Sequence, residues 1–414
     1  MKMILTRLKV NSFWLLISRI GTQGMMVLVT ILLARRLGSA GFGEYVFIAA
    51  VLMIGNMLTT FGTDMYLMRE IAAHDDLSGL PAALMVQLVL SIVFVGVVSG
   101  AARLLPNQSS GSLLALRIYI LALFPLAFTS VFSSALRGKE LMGTYAMLSL
   151  ANALIQVAAI RYLPVEHLPT LALLLLVIQT LVALLAGIWC SVKIPGFWKG
   201  WHFSIRAVWQ LLRKSAPIAL LAVMGAVYQK LSITMLSGLT SAVLTGWFAA
   251  ALKAVEASKT VHAAAFTALY PIMARTDRVI LDDSATLRFL LYLLLGGAAA
   301  AAFIVCLLAQ PLVMLLFGTE YAPAIPVLRI LAWNLIPYTI NTFFSLAFLA
   351  AGQEYRVVLV LSVSLVALII FNSLMIPWMG LVGAAVAALV VECIQAFLFL
   401  LQRQAVSLRF FNSE

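Results

Sequence analysis

The sequence predicts an all-α, polytopic membrane protein with about twelve transmembrane helices, and three observations lead there. First, 64% of the 414 residues are apolar and only 10% are charged, where a soluble domain has about half and about a quarter. A soluble core of this size cannot hide that much apolar surface, so the excess faces lipid. Second, the apolar residues come in long continuous runs. Only helices carry such runs through a bilayer, because they satisfy every backbone group internally, whereas a transmembrane barrel shows short alternating strands. Third, the sequence repeats itself at about half its length. Composition excludes a secreted disulfide scaffold, a disordered chain and a cytosolic enzyme of ordinary make-up.

A crossing helix needs about 20 apolar residues. Twelve stretches meet that length, at about 12–34, 45–66, 81–102, 114–136, 144–163, 169–191, 216–237, 246–272, 289–312, 325–350, 357–376 and 381–401. The first has Lys2, Arg7 and Lys9 ahead of it, like a secretory signal. It also carries Arg19 and runs far beyond a signal core, so it is read as an uncleaved first span. The fifth, with Asn152, Gln156 and Arg161, and the charged eighth are the least apolar. Between the sixth and seventh lies the longest connection. There Trp201, Ile205, Val208 and Leu212 share one helical face beside Lys199, Arg206, Arg213 and Lys214, the pattern of a helix lying in the membrane interface. The predicted organisation is an N-terminal bundle over 1–198, a cytoplasmic interfacial linker helix over 199–215 and a C-terminal bundle over 216–414, with six helices in each bundle.

Lys and Arg gather on the cytoplasmic side of membrane proteins. With the N-terminus in the cytoplasm, 17 of the 27 Lys and Arg residues fall on that side, 4 on the other and 6 within spans. Both termini are therefore predicted to be cytoplasmic. The formal net charge of +12 is accounted for mainly by topology, not by a nucleic-acid surface. Cys190, Cys306 and Cys393 each sit in an apolar run without the clustering a metal site needs, and read as small buried apolar residues. No metal site, cofactor or catalytic residue is predicted.

The repeat is carried by a few matches. Leu116-Arg117-Ile118 with Pro125 corresponds to Leu328-Arg329-Ile330 with Pro337 at an offset of 212. Gly138-Lys139-Glu140 corresponds to Gly352-Gln353-Glu354 at 214, and Leu37-Gly38-Ser39-Ala40 to Leu239-Thr240-Ser241-Ala242 at 202. Six spans per half give two halves of the same direction, related by a pseudo-twofold along the membrane normal.

Ionisable groups inside spans are costly and normally face a protein interior or an aqueous cavity. On the eighth span Lys253, Glu256, Lys259, Thr260 and Thr267 fall within an arc of about 120° at 100° per residue, and His262 lies on another face. On the first, Ser12, Arg19, Gln23 and Thr30 fall within about 40°. Lys230 adds a cation on the seventh. Arg117 and Arg329 lie close to the outer ends of their spans, where snorkelling competes with a lumen role. Against these six cations stand Asp64, Glu256 and Glu392, of which Asp64 and Glu392 are read as lying near span ends and open to wetting. The implied lumen is cationic and suits a phosphate or diphosphate group. Arg19, Gln23, Lys230, Lys253, Glu256 and Lys259 are the candidate substrate-binding residues.

Several motifs resemble those of a known family. They are Leu33-Ala34-Arg35-Arg36-Leu37-Gly38 with Gly41-Phe42-Gly43-Glu44-Tyr45, Gly62 with Arg69-Glu70-Ile71-Ala72, Leu212-Arg213-Lys214-Ser215-Ala216-Pro217, Ala268-Leu269-Tyr270-Pro271 and Val327-Leu328-Arg329-Ile330-Leu331-Ala332. Together they resemble the Wzx-type polysaccharide flippases of the multidrug/oligosaccharidyl-lipid/polysaccharide (MOP) superfamily. That resemblance implies transport of an undecaprenyl-diphosphate-linked oligosaccharide, such as an O-antigen unit of lipopolysaccharide, across a bacterial inner membrane by alternating access. It implies the bilayer and the polyprenyl-diphosphate-linked glycan as partners, with other polysaccharide-assembly proteins alongside and no nucleic acid. Many members carry an aspartate near Ser232; this chain does not, so no acid-based coupling site is transferred. Two rival functions are a cation-coupled exporter of small molecules, which needs membrane acids, and a membrane polysaccharide polymerase or glycosyltransferase, which typically carries a large outer loop.

Overall fold

The computed structural model describes residues 2–102, 108–163, 167–199, 201–202, 204–275 and 285–411, less the side chains of 2–13, 15–16, 260–265, 267–275, 285–287 and 403–411. The described residues are helical with no strand. Packing divides the chain into two compact units, Met1–Lys230 and Leu231–Glu414.

The first unit contains α1 (Lys2–Thr60), α2 (Thr63–His74), α3 (Leu80–Ala101), α4 (Ser110–Tyr119), α5 (Leu123–Gly138), α6 (Met142–Tyr162), α7 (Leu168–Lys193) and the part of α8 (Ile205–Leu239) up to Lys230. A straight helix the length of α1 would reach about 90 Å, roughly three bilayer cores. It is broken at Gly38, where φ 67° and ψ −179° leave the helical region. Small residues let the helices approach closely, as is usual where lipid removes the hydrophobic drive for helix association. Gly21 of α1 sits under Leu150 of α6, Gly55 of α1 under Phe94 of α3, and Gly187 of α7 under Phe132 of α5. Gln87 of α3, fully buried, donates to Thr63 Oγ1 at 2.9 Å and to Ser130 Oγ at 3.3 Å, tying α2, α3 and α5 together. Val93, Val97, Leu184 and Ile188 point outward, as lipid contact requires.

The linker residues 205–215 do not form a separate interfacial helix. They begin α8, which runs unbroken through Pro217 into the predicted seventh span. Ile205 and Trp209 are exposed, and the buried positions are Leu211 and Ser215, one turn apart. On the same stretch Lys214 Nζ lies 3.0 Å from the Tyr66 hydroxyl of α2.

The second unit contains the end of α8, α9 (Ala242–Arg275), α10 (Ala285–Leu307), α11 (Ala309–Leu316), α12 (Ala324–Ala332), α13 (Leu335–Ala350) and α14 (Glu354–Phe411), the last bent at Gly380. Among the described residues of both units, eight helices are long and apolar enough to cross a membrane. The kinked α1 and α14 are two of them, each covering two predicted spans; α9, with Lys253, Glu256 and Lys259, is not one of the eight.

Each unit repeats the same broken helix. α4 and α5 are separated by a 3-10 turn at Ile120–Ala122, and α12 and α13 by a break after Ala332. At the offset of 212 the pairs Ala115/Val327, Leu116/Leu328, Ile120/Ala332 and Leu123/Leu335 are all buried. The offset of 214 read at the far end is corrected. Glu140 N–H bonds Arg137 O and Leu141 N–H bonds Leu136 O, while Gly352 N–H bonds Leu349 O and Gln353 N–H bonds Phe348 O. These are matching Schellman caps, with left-handed Glu140 (φ 58°) corresponding in sequence to left-handed Gly352 (φ 68°) at an offset of 212. A cap is defined by backbone conformation, and a glycine two residues early was a misleading guide. Since a non-glycine residue pays about 1 kcal/mol in this conformation, Glu140→Gly is expected to raise the thermal unfolding temperature in detergent and Gly352→Ala to lower it.

Candidate functional site

The charged face of α9 meets α13 and α14 within the second unit. Lys253 Nζ lies 2.7 Å from Glu256 Oε2, an ion pair one turn apart on α9. Lys259 points elsewhere: its Nζ is 4.0 Å from Glu392 Oε1 and 4.3 Å from the centroid of the Tyr338 ring. Tyr338 and Asn341 are three residues apart on α13, hence neighbours on one face. Asn341 Nδ2 donates to Glu392 Oε2 at 2.6 Å and to the Glu392 carbonyl at 3.1 Å. The Glu392 and Lys259 side chains are 10% and 21% exposed. The ammonium thus lies on an aromatic face, whose quadrupole attracts it, beside a carboxylate held by another partner.

The reading of Glu392 as a wetted span-end acid is therefore corrected. It lies well inside α14, where Asn341 and Lys259 meet it. Asp64 is also engaged, with Arg137 Nη2 at 3.7 Å. Tyr338, Asn341 and Glu392 were not singled out as a group by sequence. The available signal was a polar residue on each of two apolar stretches, which cannot show that they meet. Asn372 Nδ2 donates to Ser232 Oγ at 3.2 Å, a neutral pair between α14 and α8.

The remaining candidates lie in the first unit. Arg19 and Gln23 are one turn apart on α1, and Gly21, about 200° round the helix from Arg19, is the residue packed on α6. Both therefore occupy the face turned from α6. Arg19 is exposed and Gln23 half-buried. Lys230, half-buried on α8, closes the unit. Thr30 is buried and spends its hydroxyl on Met26 O at 2.9 Å, so it adds little to a polar stripe. The side chains of Ser12, Thr260, His262 and Thr267 lie outside the described residues. Arg117 reaches the Ser99 carbonyl at 3.5 Å, near the end of α3. Arg36 caps the end of α6 by donating to Arg161 O at 2.6 Å and Leu163 O at 2.7 Å. Among the described residues, no three His, Cys, Asp or Glu side chains are grouped to hold a metal ion.

Against this geometry, the profile of the family described as polysaccharide biosynthesis protein matches residues 8–277. The chain belongs to that family. No curated protein matches the sequence of this polysaccharide biosynthesis family member. Its fold is similar to solved structures of MOP-superfamily transporters. One is an inward-facing multidrug resistance MATE family transporter of the MOP superfamily, with TM-score 0.73, 15% identity and coverage of 95% of this chain and 96% of that one. Another is the lipid II flippase MurJ in an inward closed conformation, with TM-score 0.69, 12% identity and coverage of 95% and 87%. A third is a MOP superfamily transporter from Pyrococcus furiosus, described as having a binding pocket of reverse polarity, with TM-score 0.61, 15% identity and coverage of 97% and 93%. At these identities the likeness establishes the fold. The family and the membrane-crossing helices make the chain a multi-pass membrane protein of a polysaccharide biosynthesis family.

Proposed function

We propose that this protein is a flippase that moves an undecaprenyl-diphosphate-linked oligosaccharide, a repeat unit of O-antigen or another surface polysaccharide, from the cytoplasmic to the outer leaflet of a bacterial inner membrane. Twelve crossings in two six-helix bundles, both termini in the cytoplasm and alternating access complete the reading. The glycan takes a polar path, the lipid tail stays in the bilayer and the diphosphate is met by cations. Arg19, Lys253 and Lys259 bind the diphosphate, with Gln23, Lys230 and Glu256 around them.

The observation that carries this reading is the state of the membrane acids. Asp64, Glu256 and Glu392 lie against Arg137, Lys253 and Lys259 respectively, so each carboxylate predicted within a span is already met by a cation. An exporter of cationic drugs needs carboxylates open to its cargo, and a carrier of diphosphate needs the excess of cations present here. Transport over catalysis is supported by a fold shared with solved MOP-superfamily transporters.

Deleting the gene and analysing lipid-linked glycans tests the proposal. Full-length lipid-linked repeat units are expected to accumulate on the cytoplasmic face as surface polymer disappears. Unchanged surface polymer, or arrest before the repeat unit is complete, would rule the flippase out.

A further inference from the structure

We infer that Glu392 is a built-in competitor for the substrate's anionic group: it holds Lys259 while the site is empty and takes it back when the anion leaves. The inference rests on the proposed role of Lys259 in binding the diphosphate. Its starting point is the unequal hold on the carboxylate. Oε2 of Glu392 is fixed by the Asn341 amide at 2.6 Å, whereas Oε1 meets Lys259 only at 4.0 Å. Asn341 also grips the Glu392 carbonyl, so one amide fixes both the side chain and the backbone it hangs from. The acid is anchored without the lysine.

Lys259 is held differently. Its ammonium rests at 4.3 Å on the Tyr338 ring, a contact that favours a cation without dictating a direction, at the end of a flexible four-carbon stem. It is also the more exposed partner, 21% against 10% for Glu392. An incoming phosphate therefore meets the ammonium first and can draw it from Oε1 while the carboxylate stays on Asn341. The neighbouring charges of α9 are engaged away from Lys259, with Lys253 Nζ 2.7 Å from Glu256 Oε2. They leave Glu392 as the acid set against Lys259. A lysine without this competitor would bind diphosphate tightly and release it slowly; the fixed carboxylate lowers affinity and speeds release.

This predicts an effect opposite to that of a purely structural ion pair. In purified full-length protein with farnesyl diphosphate as probe, Glu392→Gln is expected to tighten binding about tenfold, the modest end of what removing a facing unit charge is worth. Flipping in proteoliposomes should slow in the same variant. Glu392→Asp withdraws the charge by one methylene while keeping it, so it should give intermediate tightening and supplies the test if the glutamine variant does not fold. Lys259→Gln separates the two levels of the claim. If it binds the probe as the native protein does, the role of Lys259, and this inference with it, is overturned. If it weakens binding while neither Glu392 variant tightens it, the lysine stands as a ligand and the competitor is overturned.

Discussion

Lys259→Gln is expected to cut export of the lipid-linked glycan about tenfold or more while the protein stays folded and abundant in the membrane. The size follows from removing a unit charge from a partly desolvated contact with a diphosphate, worth several kcal/mol at about 4 Å and intermediate dielectric. Breaking a buried ion pair can instead destabilise a protein by about 3–5 kcal/mol, because the remaining charge loses its partner. Here that cost is softened. Glu392 keeps its 2.6 Å bond from Asn341, both side chains retain some exposure, and the glutamine amide remains a donor. Surface polymer in a complemented deletion strain, measured together with membrane protein level and thermal unfolding, checks the expectation. Undiminished polymer at native protein level would remove Lys259 from the site. Lys253 is expected to matter less alone, since Glu256 already meets its charge at 2.7 Å. Neutralising Arg19, Lys253 and Lys259 together is expected to abolish surface polymer.

Gly62→Val is expected to destabilise the first unit by about 3 kcal/mol, summing the strain of a left-handed residue and the overpacking of a closed contact. Gly62 has φ 64°, and a Cβ there would come within 2.9 Å of the Ala219 backbone nitrogen and 3.0 Å of Ile218 Cγ2. Backbone cannot step aside as a flexible side chain can. The same corner holds Asp64 on Arg137, Lys139 on Asp75 and Lys214 on Tyr66, so a shift of α2 against α5 and α8 strains several contacts at once. Gly225→Ala is the matched control, because nothing lies within 4 Å of a Cβ at that position in α8. Equal melting temperatures for the two variants in detergent would refute the close approach at Gly62.

Much of the molecule is legible in its order of residues. The helical class follows from the length of the apolar runs. The repeat follows from Leu116-Arg117-Ile118 and Leu328-Arg329-Ile330, whose common offset the burial pattern keeps. Gly38 is legible as a break, and its counterpart Thr240 falls in the short gap between α8 and α9. The 214 offset misled because glycine marks a helix end only approximately, while backbone hydrogen bonds mark it at a definite residue. The linker misled because a basic, amphipathic stretch reads alike whether it lies in an interface or begins a long helix.

The candidate site divides along the same line. Periodicity places Lys253, Glu256 and Lys259 on one side of α9, since residues three and six apart on a helix have fixed angular relations. It carries no information on which helix faces them. Glu392 stands 133 residues after Lys259, and from sequence alone it reads as an acid near a span end, open to wetting. Folding brings α9, α13 and α14 together, buries that acid and supplies Asn341 to hold it. Composition and helical period, which are local properties of the chain, are enough to establish a membrane helical protein with cations within its apolar helices. Whether each cation is met by an acid, an aromatic ring or a carbonyl depends on contacts between helices distant in sequence, and these exist only once the helices have packed.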